Sequence, residues 1–131
     1  MQTFDKDIVE SARKALDGYF DAINGERVQE IKDRWFHFPH VRLHSGKVSV
    51  MQTPDDFWSP ALRRQGQTAE WGYTKWDYQE PIDAGPEKVH FRVQFSRYRK
   101  DGSLLGSYKS LYIVTFLDGR WAIQGRSSWA E

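Results

Sequence analysis

Apolar residues recur every three or four positions from Asp5 to about Gly25, where Ile8, Ala12, Ala15, Leu16, Tyr19, Phe20 and Ile23 make one stripe. That spacing predicts an amphipathic helix with one buried face. Asp5 and Asp7 put negative charge in its first turn, which the helix dipole favours, and Asn24-Gly25 is a ready stop. A shorter helix is predicted from about Glu26 to Arg34, with Val28 and Ile31 buried and Trp35-Phe36 closing it. Pro39 ends the helical regime, because proline lacks the amide hydrogen that a helix interior needs. Beyond it, His40-Val-Arg-Leu-His44 and Lys47-Val-Ser-Val-Met51 alternate around Ser45-Gly46 and read as a small hairpin. Thr53-Pro54-Asp55-Asp56 is a helix start, with Thr as N-cap and Pro first in the helix. That helix is expected to carry Phe57, Trp58 and Leu62 and to stop near Gly66.

The rest of the chain reads as four strands: Ala69 to Ile82, Lys88 to Arg99, Leu104 to Leu117 and Arg120 to Trp129. In the second of these, Val89, Phe91, Val93 and Phe95 share one face and His90, Arg92, Gln94 and Ser96 the other. The apolar face is expected to look inward, with His90 and Arg92 outside; with the polar face inward instead, Arg92 could bind an acidic ligand. On the last strand, simple alternation puts Gln124, Arg126 and Ser128 opposite Trp121, Ile123 and Trp129. Strands this long must coil, and helices must cover one face. The expected fold class is therefore α+β, a single domain over residues 1–131. A strongly curved, cone-shaped antiparallel sheet wraps the first helix and leaves a conical cavity.

Composition narrows the function classes. The chain has 131 residues, 39% hydrophobic and 28% charged, with 19 basic against 18 acidic side chains. A formal charge of +1 argues against a nucleic-acid surface, which needs clustered basic excess. The absence of cysteine excludes disulfides, thiolate metal sites and Cys nucleophiles, and fits a cytoplasmic location. Met1-Gln-Thr-Phe-Asp-Lys-Asp has no apolar run, so no secretory signal is expected, and no segment has the ~20 apolar residues of a membrane span. Aromatic residues, at 15%, stand out. They suit a packed sheet, and equally an aromatic-lined pocket for a small apolar or aromatic molecule.

Three of the four histidines, His37, His40 and His44, fall in one short stretch where helices give way to strands. Imidazole is the side chain best suited to proton exchange near neutral pH. His44 is the candidate base, although a histidine before a tight turn is often simply solvated. His37 and His40 are candidate ligand contacts. Their spacing is no known metal-ligand pattern and no carboxylate is fixed beside them, so neither a metal nor a cofactor is expected. Trp35, Trp58, Trp71, Trp76 and Tyr112 are candidate pocket walls, set against the ordinary reading of each as core. Arg126 is a candidate anion contact, set against an ordinary role in an ion pair. Ser110 and Ser127-Ser128 lack the strand–elbow context of a hydrolase nucleophile.

The chain resembles the nuclear transport factor 2-like superfamily (cystatin-like folds, including ketosteroid isomerase and the SnoaL-like polyketide cyclases). The resemblance is carried by the first helix ending in Asn24-Gly25, the hairpin at Ser45-Gly46, the Thr53-Pro54-Asp55-Asp56-Phe57 start and the closing Asp118-Gly119-Arg120-Trp121-Ala122-Ile123. It covers nearly the whole chain and is topological more than motif-based. It implies a cofactor-independent isomerase, cyclase or dehydratase, or else a non-catalytic binding module or accessory subunit. By position, His44 stands where ketosteroid isomerase has its basic carboxylate, and Tyr19 where it has an oxyanion-hole tyrosine. The second oxyanion donor, a protonated Asp on a later strand, has no match between Val89 and Arg99 or between Tyr108 and Leu117. A homodimer through the outer sheet face is a further implication.

Overall fold

Asp5 caps the first helix by accepting the amide hydrogens of Asp7 (2.9 Å) and Ile8 (3.3 Å). In the computed structural model, which describes residues 4–57 and 70–129, this helix, α1, runs Lys6–Asn24. It buries Val9, Ala12, Ala15, Leu16, Tyr19, Phe20, Ala22 and Ile23, close to the predicted stripe. The second helical segment differs from expectation. It is a single turn, α2 (Val28–Glu30), that widens into a π-turn, Ile31–Trp35. Ile31 is buried as predicted, but Val28 is 42% exposed, since one turn is too short to turn both side chains inward.

Six strands follow: β1 (Phe36–His44), β2 (Lys47–Met51), β3 (Trp71–Gly85), β4 (Lys88–Arg99), β5 (Leu104–Leu117) and β6 (Arg120–Ser128). They form one sheet in the order β2-β1-β6-β5-β4-β3. β3 to β6 are the expected antiparallel meander, while β1 joins β6 in parallel, so the curved sheet is mixed. β1 also begins at Phe36, three residues before Pro39. Between β2 and β3, a 3-10 turn spans Pro54–Asp56, and the Asp56 carboxylate accepts the amides of Gln52 and Thr53. The rest of the helix predicted there, with Trp58 and Leu62, lies outside the described residues.

The sheet holds α1 against its inner face. Val89, Phe91, Val93 and Phe95 of β4 are all buried, so the apolar face does look inward and Arg92 is exposed outside. Phe20 stacks on Trp76 at 3.7 Å, and the Trp76 indole N–H donates to the Leu16 carbonyl (3.2 Å). The Asn24 side chain pins the end of α1 to β3, donating to the Thr74 carbonyl and accepting its amide, both at 2.8 Å. Among the described residues, no helix is long and apolar enough to cross a membrane.

Candidate functional site

A β-bulge decides where the polar side chains of β6 point. Ile113 pairs with Gly125, but the next residue, Val114, pairs with Ile123, so Gln124 is left over. One extra residue reverses the alternation from that point. Tyr112 and Val114 share the inner face of β5, and their partners Arg126 and Ile123 must therefore share the inner face of β6. Simple alternation, which set Arg126 opposite Ile123, is corrected by this bulge. Arg126 points into the molecule.

There its guanidinium meets three elements at once. Its Nε–H donates to His40 Nε2 on β1 (3.0 Å), and an Nη1–H donates to the Tyr19 hydroxyl on α1 (3.1 Å). It lies over the Phe36 ring at 5.0 Å and the Tyr19 ring at 5.9 Å. Tyr112, its cross-strand partner, is buried, with its ring 6.4 Å from Tyr19. Tyr19, His40, Tyr112 and Arg126 are all candidates from the sequence, and the fold brings them together.

The tautomer of His40 follows from its neighbours. A guanidinium Nε–H can only donate, so Nε2 is the accepting nitrogen and Nδ1 carries the hydrogen, which goes to the Ile123 carbonyl (3.0 Å). Burial, and then the charge of Arg126, hold His40 well below the ordinary histidine range. It is a neutral, fully engaged ring that aims Arg126. Burial likewise pushes the Tyr112 hydroxyl upward, with Tyr19 adding to the effect, so Tyr112 stays protonated.

His40, Arg42 and His44 alternate on the inner face of β1. Arg42 lies directly opposite Arg126 in the β1–β6 register, and His44 lies opposite Ser128. The charge of Arg42 contributes to the lowering at His40. Arg42 and Phe36 are not among the sequence candidates, although their even spacing from His40 along one strand was the available signal. His44 is half-buried, and its Nδ1 is a buried atom with no hydrogen-bond partner among the described residues.

The other candidates lie elsewhere or outside the described residues. His37 is buried with Nε2 against the Arg120 carbonyl (3.0 Å), so it meets a different stretch of β6 from His40. Among the described residues, no three His, Cys, Asp or Glu side chains are grouped to hold a metal. Trp35 lies against Gly18 on the side of α1, held by its indole N–H to Glu30 (2.8 Å), and lines an outer groove of about 320 Å³ with Arg34 and Trp121. It is not brought to Tyr19 and Arg126. Trp71 is a core residue whose indole N–H donates to Thr74 (3.0 Å). Trp58 lies outside the described residues.

The architecture and the sequence now agree on the family. Residues 9–128 match the model of the family described as NTF2-like protein (DUF6841), and the chain belongs to it. Its fold is similar to that of a Nostoc punctiforme protein of unknown function with a cystatin-like fold (TM-score 0.76, 7% identity, 99% of this chain and 96% of that one). It is also similar to Aln2 from a Streptomyces species (TM-score 0.73, 9% identity, 98% and 94%). A third similar structure is a ketosteroid isomerase-like protein from Erwinia carotovora atroseptica (TM-score 0.63, 14% identity, 96% and 97%). These likenesses show the fold. No curated protein matches the chain's sequence.

Proposed function

We propose that this domain binds a small, largely apolar molecule between α1 and the inner face of β1, β6 and β5, and that His44 exchanges a proton with it without a cofactor. The observation that carries this reading is the buried Nδ1 of His44, without a hydrogen-bond partner among the described residues, on the sheet face that carries Arg126 and that Tyr19 of α1 meets. A buried polar atom without a partner is costly unless something else bonds to it. Tyr19 accepts a hydrogen bond from Arg126, so its own hydroxyl hydrogen is free to donate to a ligand oxygen. In an isomerase-type step, His44 Nδ1 would take a proton from the carbon beside a carbonyl. The oxygen would gain the charge against Tyr19, and the proton would return at another carbon.

The test uses apolar ketones such as 2-tetralone and cyclohexenone in D₂O, with binding followed by ligand-observed NMR. Binding with deuterium exchange that His44→Gln removes is the expected result. Binding with no exchange by the native protein would refute proton transfer and favour the second reading, a non-catalytic carrier or accessory module. What favours that reading is the lack, among the described residues, of an acid on the inner strand faces to serve as a second oxyanion donor. A homodimer through the outer sheet face belongs to the same proposal. It is supported by the exposed cross-strand pair Leu43–Val48 and by the exposed Val50 beside it. A monomer in sizing experiments at micromolar concentration would count against it.

A further inference from the structure

The inner face around Arg126 is cationic and has no acid to match among the described residues. On the inward-facing positions of β1, β6 and β5 beside it stand Arg42, His44, Ser128 and Ser110, and no Asp or Glu. No salt bridge joins Arg126 to any described residue. Outside the described residues, the only acidic residue in the chain is Glu131.

Guanidinium carries five N–H donors in a fixed fork, and His40 and Tyr19 each take one from Arg126. His40 occupies Nε, so the fork is held in one orientation, and Tyr112 hydrogen-bonds to it as well; these partners, His40, Tyr19 and Tyr112, are all neutral. Planar, paired donors of this kind match a carboxylate. Around them are ring faces, with Phe36 under the guanidinium and Phe38 and Phe57 packed against Phe36.

We infer that the ligand of this site is a small organic acid, its carboxylate held by Arg126 and its apolar body laid against Phe36 and its neighbouring rings. The inference rests on the reading that this inner face is the ligand site, and it adds the charge of the ligand. Tyr19 then donates to one oxygen of the bound molecule. His40 is a positioning residue that acts through Arg126.

Binding of phenylacetate and hexanoate, each beside its neutral amide and beside inorganic phosphate, tests this by calorimetry and ligand-observed NMR on the native protein. The acids should bind ~10- to 100-fold more tightly than the amides, as a charge-assisted pair requires. Arg126→Gln should erase that preference, the acids falling to the affinity of the amides, and Arg126→Lys should restore part of it. Equal binding of acid and amide would overturn the inference and leave the pocket reading standing. Failure of both acids and amides to bind, along with the ketones, would overturn both. Displacement of the acids by phosphate at equal concentration would also overturn it, because the site would then hold simple anions. The comparison of acid with amide needs no variant, so it survives any folding defect in Arg126→Gln.

Discussion

Arg126 on β6 donates its Nε–H to Nε2 of His40 on β1 at 3.0 Å, and the His40 ring in turn stacks on Phe36 at 4.1 Å. A cation is thus oriented by a neutral histidine rather than by an acid. The arrangement gives His40 a structural task that an imidazole performs only when it is not charged.

Replacing His40 with Phe keeps a ring against Phe36 but removes both hydrogen bonds. The Ile123 carbonyl and the Arg126 Nε–H then lose their partners in a buried region. The expected loss of stability is about 1–3 kcal/mol for each group left unsatisfied. Urea denaturation measures it, and a change below about 0.5 kcal/mol would mean that solvent replaces His40.

Stability should also fall in mild acid. Burial is the main cause that lowers both His37 and His40 in the folded protein from the ordinary value of 6.5, and Arg126 adds to it at His40. Below about pH 6.5 the unfolded chain binds protons that the folded one refuses, so the stability present above that pH is lost progressively as pH drops. Melting temperatures between about pH 8 and pH 5 should show this fall, with proton uptake on unfolding. The His40→Phe variant should show less of it.

A methyl group on Gly18 would run into the Trp35 ring, which Glu30 holds at 2.8 Å through the indole N–H. Helix propensity favours alanine over glycine by about 1 kcal/mol. The clash should more than offset that gain, so Gly18→Ala is expected to destabilise the fold by about 1–2 kcal/mol net. Trp35 fluorescence should shift to longer wavelength as the ring is lifted. A stabilised variant would show that Trp35 moves aside without cost.

Asn24→Ala removes both side-chain hydrogen bonds that tie the C-terminus of α1 to Thr74. It should cost about 2 kcal/mol, since two part-buried backbone groups of β3 lose their partners. Amide exchange at Thr74 should accelerate more than at Val93, in the middle of β4.

Much of the fold is legible in the sequence because its periodicities are clean. The α1 stripe and the Val89–Phe95 alternation each state which face is buried, and both faces are buried in the structure. The inward turn of Arg126 is hidden because alternation is reliable only in an unbroken ladder. Gly125 is the clue, since a glycine inside a strand often marks a bulge. The exposure of Val28 is hidden too, because a periodic pattern cannot reveal that a helix lasts only one turn before widening. For Trp35 and Trp71, residue type alone suggests pocket walls. The same aromatic surface serves equally well to cover Gly18 or fill the core.

The site itself is tested most directly by NMR of protein labelled with ¹⁵N at arginine side chains, titrated with phenylacetate. A saturable shift of the Arg126 Nε resonance is expected, with Arg13 and Arg27 unmoved. A titration that shifts Arg34 and Arg120 in the outer groove, and leaves Arg126 in place, would contradict it.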